Sequence, residues 1–247
     1  MPADHFTAVS AHYAHSRPTY PDELFAWLAA TCAGRALAWD VGAGNGQASI
    51  ALAAHFDRVL ATDLSAEQIA HAQPHPRIEY RAAPADHSGL APRSADLVTV
   101  AQALHWFDLN AFYAEVRRVL RPDGLVAAWT YGILSVEGDA VETIVDDFYW
   151  NVVGPHWPAE RRHVENRYAD LPFPFRRVDS PAFAIVRQWT LEQFLGYVRS
   201  WSATGRMQKA TGTDPVPALH AQLAAQWGGP DTRRTVTWPV ALHAGRV

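Results

Sequence analysis

The run Asp40-Val41-Gly42-Ala43-Gly44-Asn45-Gly46 holds the densest set of residues suited to ligand binding. Its glycines let the backbone turn tightly and lie against a ligand where a Cβ would clash. A short apolar stretch, Ala36–Val41, precedes the loop and reads as a strand, and Gln47–Ala54 reads as a helix. In open α/β sheets, ligands bind in the crevice at the carboxyl ends of the strands. Two details narrow the ligand. A dinucleotide loop places its third glycine one position later, where this chain has Gln47. Asp40 stands two residues before the first glycine, and a buried carboxylate repels a pyrophosphate but favours an ammonium or sulfonium. The competing reading is a tight turn with no ligand.

Further candidates follow the next strands. Asp63 ends the second strand, Arg58–Thr62, and a carboxylate there can accept both hydroxyls of a ribose. It can also cap the helix Ala66–His71, although Ser65 is better placed to do so. Ala85-Asp86 follow the third strand, Ile78–Ala82. An acid there can accept from an adenine amino group, or sit in solvent. His105-Trp106 follow the fourth strand, Asp96–Ala101. His105 can act as a general base and Trp106 as an aromatic wall or cation–π face, while a packed His105 steadying the strand end is the alternative. Tyr131, Phe148, Tyr149, Trp150, Trp157 and Trp201 lie beyond the sheet and suggest an apolar, concave pocket. For any single one of them, core packing is the commoner role.

Only a parallel sheet with helical crossovers brings these strand ends together. The first half has that alternation, with helices at Leu24–Ala30 and Asn110–Leu120, a turn at Arg121–Gly124 and a fifth strand at Leu125–Thr130. The second half differs. Val141, Ile144, Val145, Phe148 and Val152 recur at helical spacing. Gly154–Phe175 reads as loop and Ala182–Trp189 as a strand. Leu191–Trp201 and Pro217–Trp227 read as helices with a Gly/Thr-rich loop between them. Thr235–Ala244 reads as a terminal strand pairing antiparallel with its predecessor. The expected organisation is one domain over 1–247. Its core is about 22–132 and 180–247, with an arm at 1–21 and a helical insertion at about 133–179 as a lid.

Composition narrows the partners. With 247 residues, 49% hydrophobic and 19% charged, the chain suits one large globular domain. A net charge of -4 argues against the basic face of a nucleic-acid binder. Lys209 is the only lysine, so nearly every cation is an arginine fork suited to carboxylates. Cys32 is the only cysteine, so no internal disulfide forms. Met1–Ser10 lacks signal-peptide features, and no apolar run spans a bilayer, so a cytoplasmic protein without a membrane partner is expected. Histidines such as His12 and His15 show no metal-ligand spacing, so no metal is expected.

Several segments together resemble the class I S-adenosylmethionine-dependent methyltransferases. They are Asp40–Gly46, Asp63-Leu64-Ser65, Ala85-Asp86, Ser94–Val98 and Arg118–Gly124. Within that class the chain is similar to the small-molecule branch called methyltransferase type 11, and to trans-aconitate methyltransferases. Tyr13 with Arg17–Pro21, Gln102–Asp108 and Trp238-Pro239 match that subgroup. The likeness covers most of the chain and is loose from about Ile133 to Ser180. The family usually has two glycines where this chain has Asp123-Gly124.

The resemblance implies an α/β fold: a Rossmann-like, seven-stranded, mostly parallel sheet with helices on both faces, an antiparallel last strand and a helical lid. It implies S-adenosylmethionine as methyl donor and S-adenosylhomocysteine as product. Gly42, Gly44 and Gly46 should pack on the methionine moiety, Asp63 should hold the ribose, Leu64 should flank the adenine, and Ala85-Asp86 should meet its amino group. Gln102 should touch the cofactor near the sulfonium. Tyr13 and Arg17 should fold over it, Arg17 binding the methionine carboxylate, serving the substrate or pinning the arm. Tyr20, Trp106, Tyr131 and Trp201 are the candidates to line the substrate pocket. The expected acceptor is an O or N atom of a small acidic or planar heterocyclic metabolite, with no nucleic acid or membrane partner, on a monomer or homodimer. A non-catalytic sensor of S-adenosylmethionine is the first alternative and a nicotinamide-dependent oxidoreductase the second.

Overall fold

The computed structural model describes residues 18–247. In the first half, Asp22–Thr31 (α1) leads into Leu37–Val41 (β1), Gln47–Ala53 (α2) and Arg58–Asp63 (β2). Ala66–Ala70 (α3), Ile78–Ala82 (β3), Ala95–Ala101 (β4), Leu109–Val119 (α4) and Leu120–Tyr131 (β5) follow. The second half holds Ser135–Val136 (β6), Asp139–Asp147 (α5), Arg161–Glu165 (α6), Arg176–Val178 (β7) and Phe183–Trp189 (β8). It ends with Leu191–Arg199 (α7), Ser202–Thr211 (α8), Val216–Trp227 (α9) and Arg234–Arg246 (β9).

One sheet has the order β3-β2-β1-β4-β5-β9-β6, with β7 and β8 also paired to β9. The first five strands run parallel, and every pairing of β9 is antiparallel. The sheet among the described residues thus has nine strands, not the expected seven. The 13-residue β9 is long enough to hold β5 on one edge and β7 and β8 on the other.

Strand alternation builds the two faces. Ala38, Leu97, Leu125 and Trp129 pack on one side with Leu24, Phe25 and Leu28 of α1 and Leu52 of α2. Trp39, Val41, Val98, Val100 and Val126 pack on the other with Phe112, Val116 and Val119 of α4. Burial on both faces is why β1 and β4 read as near-continuous apolar runs. Each buried Leu, Val or Phe contributes about 1.5–3 kcal/mol.

The turn expected at Arg121–Gly124 lies within β5. Ala95 pairs with Leu120 and Leu97 with Leu125, so four residues loop out of the ladder. Asp123 has φ +63°, the conformation that explains the glycine usual at this point in related sequences. Arg121 donates to Asp96 Oδ1 at 2.5 Å, while Asp96 Oδ2 accepts the N–H groups of Ala36 and Leu37.

A third apolar cluster joins Tyr131, Val141, Val145 and Phe148 to Phe194, Val198, Leu219 and Trp227. Helices α7–α9, inserted between β8 and β9, therefore pack with the insertion that follows β5. Ser202–Thr211, expected as loop, is helical. Its weak helix formers are overridden by tertiary contacts: Ala203 is buried and the Thr204 hydroxyl donates to Val198 O at 3.0 Å. Only Gly212, capping at φ +74°, signals this helix locally. The expected loop Gly154–Phe175 likewise contains α6.

Candidate active site

The glycine loop leaves β1 with Gly42, Gly44 and Gly46 at φ +66°, +57° and +84°. The Ala43 N–H donates to Thr62 O, and the Gly44 N–H to Asp63 Oδ2 at 2.8 Å. Asp63 Oδ1 accepts the Ser65 N–H at 2.8 Å, while the Ser65 hydroxyl accepts from Gln68 and caps α3. Asp63 is thus not the helix cap. Its carboxylate is held by two backbone donors, with lone pairs left for two further hydroxyls.

A Cβ on Gly42 would sit 2.6 Å from the Ala103 Cβ, and one on Gly46 2.5 Å from the Tyr80 hydroxyl oxygen. A Cβ on Gly44 would meet nothing within 4 Å. The protein leaves open the space above Gly44, beside the pinned Asp63. Leu64, next in the chain, is 78% exposed at the carboxyl end of β2. An open glycine cradle, an oriented carboxylate and an exposed apolar side chain suit the methionine, ribose and adenine parts of S-adenosylmethionine. Asp86 lies exposed in the loop after β3, with Ala85 partly buried beside it.

Asp40 lies in β1, two residues before Gly42. It is fully buried, and its oxygens accept the Ser49 hydroxyl at 2.6 Å and the Thr99 hydroxyl at 2.9 Å. Both carboxylate oxygens are thus engaged within the protein. Burial pushes its carboxyl up to about 6, against the two hydroxyls, and the charge of Asp63 adds to the rise.

Gln102 follows β4 at φ +59°. Its side chain was expected at the cofactor, but both ends of the amide are engaged by β5. Nε2 donates to Tyr131 O at 2.7 Å, and Oε1 accepts the Thr130 hydroxyl at 2.5 Å.

His105 and Trp106 lie in a 3-10 turn, Leu104–Trp106, just past β4. Trp106 is 44% exposed and its ring stands 4.9 Å from the imidazole. His105 Nδ1 lies 2.8 Å from the Tyr168 hydroxyl, and Nε2 has no hydrogen-bond partner among the described residues. Burial, with the charges of His163 and Arg161, lowers the imidazole to about 4, so it is neutral at ordinary pH.

Tyr168 was not anticipated. It is buried at φ +59°, directly after Arg167 at φ +55°. Two successive left-handed side chains are strained, a feature that clusters at functional sites. His243 Nε2 meets Arg167 O at 2.9 Å and holds the bend. Sequence offers no local sign of this pairing, because 63 residues separate Tyr168 from His105.

The expected substrate residues divide. Trp106 stays open. Tyr131 and Trp201, 5% and 7% exposed, offer little ring to a ligand. Tyr20 packs edge-on against Phe25, Trp129 and Tyr131, and Trp201 among Phe148, Tyr149, Trp157 and Tyr197. Tyr13 and Arg17 lie outside the described residues. Among the described residues, no group of three or more His, Cys, Asp or Glu side chains is arranged to hold a metal, and no helix is long and apolar enough to cross a membrane.

Residues 39–128 match the family model described as a methyltransferase domain. A Dictyostelium discoideum protein, provisionally named a methyltransferase, is 34% identical over 223 residues, covering 89% of this chain and 85% of its own. The chain belongs to the class I S-adenosylmethionine-dependent methyltransferases. The methyltransferase cfoB of Aspergillus candidus is 28% identical over 262 residues, covering 90% of this chain and 78% of that protein. A solved structure from Anaeromyxobacter dehalogenans, provisionally described as a type II methyltransferase, superposes with a TM-score of 0.89 at 46% identity. It covers 93% of this chain and 97% of that one. Membership makes this methyltransferase an enzyme using S-adenosylmethionine and sets aside the nicotinamide reading.

Proposed function

We propose that this methyltransferase methylates an O or N atom of a small acidic or planar heterocyclic metabolite, with His105 as general base. The supporting observation is the neutral imidazole beside the half-exposed indole of Trp106, just past the end of β4. S-adenosylmethionine, when bound, supplies a methyl group on a sulfonium that is already a good leaving group. The protein's task is to hold the acceptor in line and exclude water.

In this reading the glycine loop carries the methionine end. Asp63 takes the ribose hydroxyls, Leu64 flanks the adenine, and Ala85-Asp86 face its amino group. Arg17 and Tyr13 close over the cofactor. His105 takes the acceptor's proton at Nε2 when Nδ1 donates to Tyr168, so Tyr168 is a positioning residue. Trp106 supplies the exposed wall, backed by Tyr20, Tyr131 and Trp201. The chain works as one domain, with the insertion at about 133–179 as its lid. The narrower likeness to trans-aconitate methyltransferases stays a reading of motifs. We further propose a cytoplasmic monomer or homodimer that takes neither nucleic acid nor membrane as partner.

The test is to incubate the protein with methyl-labelled S-adenosylmethionine, an extract of the host's small metabolites and a panel of carboxylic acids and N-heterocycles, then read the products by mass spectrometry. Label on an O or N atom of a small acid or heterocycle supports the proposal. Label confined to protein or nucleic acid overturns it.

A further inference from the structure

Two hydrogen-bond donors in the insertion after β6 have no hydrogen-bond partner among the described residues. The first is the Arg161 guanidinium. Its Nε donates to the Tyr149 hydroxyl at 2.9 Å, and that hydroxyl donates to Glu165 at 2.8 Å. Glu165 Oε1 lies 3.9 Å from the same Nε, beyond hydrogen-bond reach. The terminal nitrogens of Arg161, with four N–H groups, have no partner among the described residues. Solvent does not fully compensate them, because the side chain is only 20% exposed.

The second donor is Trp157 Nε1, which is buried without a hydrogen-bond partner. A buried N–H left unpaired costs about 1–3 kcal/mol. The Arg161 guanidinium stacks over this same indole, its Cζ 4.5 Å from the ring centroid and 5.6 Å from that of Tyr149. Both donors therefore share one aromatic wall. That wall borders the candidate active site: Arg161 and His163 share α6, the Tyr168 N–H donates to His163 O at 2.8 Å, and the Tyr168 hydroxyl lies 2.8 Å from His105 Nδ1.

The complement to such a wall accepts hydrogen bonds, carries negative charge and is flat enough to lie against aromatic rings. A carboxylate meets all three conditions, and the arginine fork matches its two oxygens. A phosphate monoester would bring a second charge that one guanidinium, already near Glu165, leaves uncompensated. We infer that Arg161 and Trp157 Nε1 bind a carboxylate of the methyl acceptor. This deepens the proposed function and rests on it. An acceptor anchored there by an acid group offers another part of itself, or the carboxylate's second oxygen, to the methyl group.

The test uses indole-3-acetate and benzoate against their uncharged amides, indole-3-acetamide and benzamide. Calorimetric titrations are made with and without saturating S-adenosylhomocysteine. The wild type should bind the acids about tenfold or more tightly than the amides. Arg161→Gln should erase that preference and leave amide binding unchanged. Trp157→Phe, which keeps a ring under the guanidinium but removes the N–H, should weaken the acids several-fold. S-adenosylhomocysteine affinity and the thermal midpoint report folding in each variant, and Trp157→Phe serves alone if Arg161→Gln unfolds. Equal binding of acids and amides, no acid binding at millimolar concentration, or a folded variant that binds acids as the wild type does would each overturn the inference. If the acids discriminate as expected but no small molecule is methylated, the proposed function fails and the anion site stands.

Discussion

The two regions proposed as the cofactor side and the acceptor side of this molecule are built differently. The cofactor side is local: Gly42 to Ser65 supply the loop, the carboxylate and its two backbone donors within 24 consecutive residues. The acceptor side is assembled from distant segments: His105 on β4's exit, Tyr168 beyond α6, and Arg161 with Trp157 in the lid. A sheet-end turn works wherever its glycines and its acid are present. The lid has to be packed before its residues meet. Binding of a common cofactor is therefore carried by short motifs, while acceptor chemistry is carried by tertiary structure.

The largest effect separates the two sides. His105→Ala should lower the turnover rate by about 10²–10⁴-fold if the imidazole is the base, and leave S-adenosylhomocysteine affinity unchanged in calorimetry. Tyr168→Phe should follow in the same direction by about tenfold, since it removes only the positioning hydroxyl. Loss of cofactor affinity in either variant would mean that the two sides are coupled.

The next effect runs the other way. Gly46→Val places a side chain at φ +84° against the Tyr80 hydroxyl, so it should weaken S-adenosylhomocysteine by about a hundredfold and lower the thermal midpoint. Gly44→Ala adds a methyl group that meets no protein atom. It should weaken cofactor binding by a larger factor than its effect on stability. Equal losses would show that backbone strain alone explains the glycine. Asp63→Ala should weaken the cofactor by about a hundredfold or more, from two lost charge-assisted hydrogen bonds.

The same contrast decides what was legible in the sequence. The five parallel strands, the capping Ser65 and the glycine loop could be read because each depends on near neighbours. Asp40 is buried as its place before the loop suggests, but spacing cannot show that Ser49 and Thr99 donate to its two oxygens. The engagement of the Gln102 amide is likewise hidden from the sequence, because its partners lie on β5, 28 and 29 residues on. Tyr168 and Arg161 gave no local signal. Ser202–Thr211 was taken for loop because Gly205 and its threonines are poor helix formers, and burial against α7 outweighs that preference.

The smallest predicted effect is a pH dependence, and it tests whether the two sides titrate apart. Asp40 titrates near 6, well above an ordinary aspartate, so it loses its charge as the pH falls through 6. The neutral acid no longer favours a sulfonium. The KM for S-adenosylmethionine should therefore rise severalfold between pH 7 and pH 5, while S-adenosylhomocysteine, which lacks the sulfonium charge, should respond less. Asp40→Asn should remove the difference between the two ligands. His105 is displaced in the opposite sense: its pKa near 4 keeps the base neutral until well below pH 5. At saturating cofactor, kcat should stay flat from pH 8 to about pH 5 as far as His105 is concerned, although an unperturbed histidine would already have lost most of its base form by then. A fall in kcat centred near 6.5 would show a solvated imidazole and remove the burial on which the acceptor-side assignment depends. A flat kcat with a rising KM would place the two titrations on opposite sides of the transferred methyl group.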